Sequence, residues 1–334
     1  MSRDLSFDRA IAFAQDLIRI PSPPGGEGEV AERVGKELEA LGFDDVWTDE
    51  VGNVFGRIAG RGNAPAVMVS SHLDVVDVGD PAGWELPPFS GVISDGHLHG
   101  RGAMDIKGPL AIQTYAAAHF VDDRPEGDVL VGHTVLEERG GWGMAHLLGS
   151  GDVRPGAIII GEATGGDVCI GHRGRAELVV EIRGVAGHAS APERASNPLE
   201  GLPALIPALK AFAAQLPSDP VLGRSTLAPT NVVTLPQSNN VIPDRVRVTL
   251  DWRVLPGLTA DEAVDSLHTY LASRVRLPDG CDLAVRFATE RQHTYTGQEQ
   301  DRRMFTPGFL IDDDHPIVHA AAHAIERATG RTPA

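Results

Sequence analysis

The sequence predicts an α/β protein in two parts: a domain on a mostly parallel sheet, and a smaller inserted α+β domain with two helices on an antiparallel sheet. Three observations predict it. Up to about residue 172, short apolar runs alternate with stretches of helical period, as strands and crossover helices do. From about 173 to 290 the strands carry polar residues at every second position, the pattern of an antiparallel sheet with one wet face. The length of 334 residues also exceeds what one hydrophobic core normally fills.

Ser6 to Arg19 carries Phe7, Ala10, Phe13, Ala14, Leu17 and Ile18 at helical spacing. PSPPGGEG at 21–28 stops that helix and forms a loop. A second helix runs through Val30, Val34, Leu38 and Leu41 and ends at Gly42. Asn53 to Ile58 and Ala66 to Ser70 read as strands, with GRGNAP as the turn between them. Residues 79–104 are rich in Gly and Pro and predict a long irregular segment, a feature that is usually functional in a compact domain. A buried helix is predicted over Lys107 to Ala118, and strands over Asp128 to Leu136 and Ala157 to Ile160.

Beyond 173, Ala176, Leu178, Val180 and Ile182 alternate with polar residues. So do Val246, Val248, Leu250 and Trp252 within Arg245 to Arg253. Further strands are predicted at Val232 to Leu235 and Ala284 to Phe287, and helices at about 197–214 and Thr259 to about Ser273. A final helix, Pro316 to Thr329, is expected to rejoin the first domain. The expected domains are 1–172 with 291–334, and 173–290.

The chain has 46 acidic residues against 29 Lys and Arg, a formal net charge of -17. That argues against nucleic acid and anionic membrane surfaces as partners. Cys169 and Cys281 are the only cysteines, too few for a disulfide scaffold or a thiolate metal site. No stretch has the length of a membrane span and the start MSRDLSFDRA has no long apolar run, so a cytoplasmic location is expected.

Three strands run straight into ligand-type side chains: His72 and Asp74 after Ala66 to Val69, Glu137 and Glu138 after Asp128 to Leu136, and Glu162 after Ala157 to Ile160. Asp105 stands in GRGAMDIKG, just before a helix. In open α/β sheets, groups at the carboxyl ends of strands converge on one crevice. Acids gathered there repel one another and raise their pKa values, and divalent cations remove that conflict. Oxygen and imidazole donors without cysteine suit zinc, manganese or cobalt. Asp105 is placed to bridge two cations, and His72 to be a terminal ligand with Asp74 orienting its other nitrogen. Of Glu137 and Glu138, one binds metal and the other takes a proton from water; their adjacency alone leaves open which. Gly140, Gly141 and Gly143 suit a tight turn and follow no phosphate-binding pattern, so ATP and NAD are not expected.

SHLDVV, GRGAMDIKG, LEERGG, GEAT, GVAGHASAPE and NNVIPDRVRVTLDWRVLPG resemble, in order, blocks of the M20 metallopeptidases. That family includes acetylornithine deacetylase, succinyl-diaminopimelate desuccinylase, aminoacylase and the glutamate carboxypeptidases. The resemblance covers residues from about 10 to 330. It implies a zinc-hydrolase fold for the first domain and a lid and homodimer contact for the second. It implies a deacylase or peptidase that releases an amine from a small N-acyl amino acid or peptide. Two divalent metals are implied, most simply zinc, with cobalt or manganese as alternatives. His72 and Glu162 resemble the terminal ligands of one metal, Asp105 the bridge, Glu138 a ligand of the second, Glu137 the general base and Asp74 the partner of His72. His188 resembles a histidine that reaches the partner subunit's active site and steadies the tetrahedral oxyanion. Asn240 and Arg253 resemble a substrate-binding pair, Arg253 holding a free carboxylate in a bidentate fork.

Lys107 is expected to be structural, His97 and His99 to be ordinary loop residues, and Trp84 to wall the pocket or anchor its loop. The family adds a later segment with a final histidine ligand for the second metal, which these 334 residues do not include. The expectation is a fragment or an incomplete second site. His315, His319 and His323 lie four apart and read as an exposed helix face. Two alternatives accompany the main reading: a degenerate member that binds small molecules without turnover, and a hydrolase of cyclic amides or carbamoyl groups. The acyl group and the amino acid are not legible.

Overall fold

A computed structural model describes residues 5–333. Met1–Asp4, part of the start read above, and Ala334 lie outside the described residues. The chain divides into two units. The first takes the chain up to Asp167, Arg291–Gln300 and the chain from Ala322; the second takes Val168–Glu290 and Asp301–Ala321. The last boundary therefore falls inside the final helix, Pro316–Thr329.

In the first unit, α1 (Phe7–Arg19) is capped by Ser6, whose side chain accepts the Arg9 N–H, and it buries Ala10, Phe13, Ala14, Leu17 and Ile18. α2 (Gly28–Ala40) buries Val30, Val34 and Leu38 in the same cluster. Next come strands β1 (Asp45–Thr48), β2 (Val54–Ile58) and β3 (Ala64–His72), then α3 (Gly108–Ala118), β4 (Gly127–Thr134), α4 (Trp142–Ser150) and β5 (Ala157–Ile160). The strands form one sheet in the order β1-β2-β4-β3-β5.

Strand alternation divides the side chains between two faces. Val54, Ile58, Val129 and Val131 join the cluster containing α1, α2 and α3 residues. Phe55, Met68 and Leu130 join Leu147 of α4 in a second cluster. Helices thus line both faces.

The sheet is mixed, which corrects the expectation of a mostly parallel one. β3 pairs in parallel with β4 and β5, but β1–β2 and β2–β4 are antiparallel. For the β1–β2 pair the reason is local: β1 is only four residues long. Its connection to β2, Asp49–Asn53, is far too short for the crossover that parallel strands need.

The second unit contains β6 (Gly174–Arg183), the two-residue strand β7 (Gly187–His188), α5 (Leu202–Ala213), β8 (Thr226–Leu235), β9 (Val241–Ile242), β10 (Arg245–Val254), α6 (Ala260–Arg274), β11 (Asp282–Phe287) and β12 (Phe305–Thr306). The sheet runs β8-β10-β6-β11, with β12 also paired to β6, and each pairing is antiparallel. Register places Ile182, Val180, Leu178 and Ala176 opposite Val246, Val248, Leu250 and Trp252. That face packs with Leu205 and Leu209 of α5 and Leu267 and Leu271 of α6. The opposite face holds charge pairs, including Arg247 Nε to Glu181 Oε2 at 2.5 Å and Arg175 Nε to Asp251 Oδ2 at 2.9 Å. Among the described residues no helix is long and apolar enough to cross a membrane.

Leu178 is fully buried at the centre of the second unit's core. Leu178→Ala is expected to lower the unfolding free energy by about 2–5 kcal/mol, read by chemical denaturation. A change below about 1 kcal/mol would contradict the packing described.

Candidate metal centre and active site

The ring of His72 sits at the carboxyl end of β3 and is 2% exposed. Its Nδ1 lies 2.8 Å from the Asp74 carbonyl oxygen, which can only accept, so Nδ1 carries the proton. Nε2 faces the carboxylates. Asp105 Oδ1 is 3.0 Å away, Glu162 Oε1 3.7 Å and Glu137 Oε2 3.9 Å. Asp105 stands in a single helical turn, Ala103–Lys107, where its own backbone is non-helical (φ -119°, ψ 89°). Two sets of potential ligand atoms lie within 4.8 Å of one another: His72, Asp105 and Glu162, and His72, Glu137 and Glu138.

Asp74 is fully buried, and its carboxylate does more than attend to His72. Oδ1 lies 3.4 Å from His72 Nδ1 and accepts the Glu137 N–H at 3.0 Å, while Oδ2 accepts the Glu138 N–H at 3.0 Å. The two preceding amides are held as well. The Val135 N–H donates to Asn53 Oδ1 at 3.0 Å and the Leu136 N–H to Glu27 Oε1 at 3.1 Å. Glu27 and Asn53 are fully buried. Four consecutive amides before and through the glutamate pair are therefore fixed by side chains. Leu136 has φ +55°, and Gly140 and Gly141 also have positive φ in the turn that follows. A Cβ on Gly143 would lie 2.3 Å from Asn53 Oδ1, so the chain there requires glycine.

The electrostatics ask for positive charge. Burial pushes Glu137 up to about 7; the Asp74, Glu138 and Glu162 charges add to this and His72 opposes it. Glu138 and Glu162 are raised, first by burial and then by neighbouring charges. The His72 hydrogen bond holds Asp105 low. At His72, burial disfavours the charged ring, but bonds to Asp105 and Asp74 outweigh it and hold the imidazole up to about 11. One buried ring is thus the local counter-charge for several acids. A divalent cation would supply that charge while leaving the carboxylates ionised. The imidazole and oxygen donor set fits such an ion.

Sequence reasoning missed Glu27 and Asn53. They bind backbone amides distant in sequence, and no motif marks such a contact. Lys107 is buried and donates to the Ile20 carbonyl at 2.6 Å. Trp84 donates to the Val78 carbonyl at 2.9 Å and lies under Arg101, 5.1 Å from its ring. His97 and His99 bond to the Asp95 and Ser94 carbonyls nearby. His315, His319 and His323 are exposed.

The other expected site residues lie in the second unit. His188 on β7 pairs with Val241 on β9, and the Ala189 N–H donates to the Asn240 carbonyl at 3.1 Å, so His188 and Asn240 are close. His188 Nδ1 accepts the Ser190 N–H at 3.1 Å, leaving Nε2 as the protonated, donating nitrogen. Arg253 is near the far end of β10, opposite Arg175. It lies roughly 27 Å along the strand from Arg245, at about 3.4 Å per residue. Its Nε donates to Asp251 Oδ1 at 2.8 Å.

A family profile described as peptidase family M20/M25/M40 matches residues 68–334. This chain belongs to that family. It is a metal-dependent hydrolase acting on amide bonds. It is 31% identical over 349 residues to succinyl-diaminopimelate desuccinylase of Dinoroseobacter shibae, covering 97% of this chain and 84% of that one. The M20 metallo-carboxypeptidase Sso-CP2 of Sulfolobus solfataricus matches in fold with a TM-score of 0.74 at 16% identity, over 98% of this chain and 85% of that one. The YXEP protein of Bacillus subtilis, described as a dinuclear metal binding peptidase, matches with a TM-score of 0.66 at 17% identity, over 98% and 81%.

Burial pushes the Glu27 carboxyl up to about 7 from 4.5, against the pull of nearby amides. The folded state then holds this proton where the unfolded chain has lost it. Its contribution is most favourable below about pH 4.5 and is lost as pH rises through 7, by about 3 kcal/mol in all. Glu27→Gln removes that titration. Its stability relative to wild type should gain about 3 kcal/mol between about pH 4 and about pH 8, measured by denaturation at each pH. A pH-independent difference would contradict the shift.

Proposed function

We propose that the protein is a two-metal deacylase or peptidase that releases an amine from a small N-acyl amino acid or peptide. The observation that carries this reading is the convergence of Asp105, Glu137 and Glu162 carboxylates within 3.9 Å of His72 Nε2. His72 and Glu162 would hold one metal, Asp105 would bridge, and Glu138 would hold the second. Bound there, zinc, cobalt or manganese would polarise the scissile carbonyl and lower the pKa of water. Glu137 takes the proton from the attacking water and delivers it to the leaving amine. Its place beside the candidate ligands, with Oε2 3.9 Å from His72 Nε2, supports that part. Asp74 keeps the His72 ring and the Glu137–Glu138 backbone in register with each other.

His188 donates from Nε2 to the oxyanion, Asn240 orients the substrate beside it, and Arg253 receives the substrate carboxylate in exchange for Asp251. Asn240 precedes the Arg245 end of β10 and Arg253 is near its other end, roughly 27 Å on at about 3.4 Å per residue; a small N-acyl amino acid is much shorter, which supports the reading that one chain does not supply both to one molecule. We therefore infer a homodimer through the second unit, with His188 and Asn240 serving the partner's centre. β8 supports a contact of this kind: it is an edge strand, and Val232 on it is 47% exposed.

Glu137→Gln should retain the metal content of the wild type and lose about 10²–10⁴-fold in kcat on a panel of N-acetyl, N-succinyl and N-carbamoyl amino acids and dipeptides. Turnover within threefold of wild type would remove Glu137 as the base. Mixing inactive Glu137→Gln with inactive His188→Ala under subunit exchange should restore part of the activity, because one of the two centres then has both groups. No recovery in proven mixed dimers would place His188 outside the partner's centre.

A further inference from the structure

We propose that Glu27 is a positioning residue for the Glu137–Glu138 pair, its buried carboxyl holding Leu136 in the left-handed conformation from which both side chains are launched. The inference rests on the roles proposed above for that pair.

Three observations carry it. First, Glu27 occupies the N-cap position of α2 but makes no side-chain capping bond there. Its Oε1 instead accepts the amide of a residue 109 positions away. Second, that amide belongs to Leu136, a leucine at φ +55°. A left-handed non-glycine residue is strained and persists only where its surroundings over-determine it. Third, the neighbouring amides already have other owners: Asn53 holds Val135, and Asp74 holds Glu137 and Glu138. Glu27 is the acceptor at the strained position itself. Without it, a buried N–H is left unpaired and Leu136 is free to relax to negative φ. That rotation changes the direction in which the chain enters Glu137, while Asp74 continues to hold the two amides beyond. Misalignment of a proton-transfer group by about 1 Å is worth roughly 10²-fold in rate.

The test compares Glu27→Met, which fills the space without an acceptor, with Glu27→Gln, which keeps the Oε1 acceptor. Both are assayed with added zinc, cobalt or manganese on whichever panel substrate the wild type turns over best. Glu27→Met should lose about 10²-fold in kcat with KM within about threefold of wild type. Its amide hydrogens at residues 135–138 should exchange faster. Glu27→Gln should keep kcat within about tenfold of wild type and retain the slow exchange. Glu27→Met with kcat within threefold of wild type overturns the proposal, as does a loss carried by KM alone. If Glu27→Met does not fold, Glu27→Gln decides by itself: a loss of about 10²-fold with the acceptor retained overturns the proposal. Glu137→Gln runs in parallel. If it stays active the base assignment fails, and that outcome is separate from the Glu27 kinetics.

Discussion

Four consecutive backbone amides, Val135 to Glu138, are held by the side chains of Asn53, Glu27 and Asp74, and this clamp fixes the backbone of the Glu137–Glu138 pair. A strand end is normally where backbone order fades, because the ladder no longer pairs it. Here β4 stops at Thr134 and buried side chains take over from the ladder at the next residue. Each of the three comes from a different segment: the start of α2, the residue before β2, and the loop after β3. The position of Glu137 and Glu138 is thereby tied to the packing of both clusters in the first unit. An unpaired amide at this depth would cost about 1–3 kcal/mol, so the clamp resists being opened one contact at a time.

Asp74 links this clamp to the metal-binding face. One of its oxygens lies 3.4 Å from the His72 ring, and its two oxygens hold the amides of the glutamate pair. The ring's remaining nitrogen is then directed at Asp105 and Glu162. A single buried carboxylate sets the His72 orientation and the Glu137–Glu138 backbone together. Loss of Asp74 would therefore disturb both halves of the site, whereas loss of Glu27 would disturb one.

The clustered side chains were legible in the sequence because most of them follow an apolar strand that ends abruptly. His72, Glu137 and Glu162 need only strand assignment and the crevice rule to be brought together, and the structure has their atoms within a few ångströms. Asp105 was legible from its glycine-flanked motif. The mixed order of the sheet was not, since β1 is too short to stand out and hairpin pairing is decided by a loop rather than by hydrophobic pattern. Glu27 was read as part of a loop for a related reason: a side chain bonded to a backbone amide 109 residues away leaves no periodic or spacing signal. Asn240 and Arg253 sit only 13 positions apart in a block that reads as one motif. Asn240 nevertheless precedes the two-residue strand β9, whereas Arg253 is near the far end of β10, so closeness in sequence does not by itself bring them together.

That separation has a consequence for how the second unit works. Along β10 the side chains facing away from the core include Arg247 and Arg253, and each is already in an ion pair, with Glu181 and Asp251. The Arg253–Asp251 pair is partly exposed, where such contacts contribute little to stability. Arg253 is 46% exposed and shares Asp251 with Arg175. An incoming carboxylate would replace one anion by another of the same geometry, at small net cost in charge, and Arg175 would keep Asp251 satisfied. His188 needs no such exchange, because the Ser190 amide already fixes its tautomer and leaves the donor free. On the roles proposed above, the ribbon of β7 and β9 would present a preset donor, whereas a substrate carboxylate would have to win the Arg253 guanidinium from Asp251.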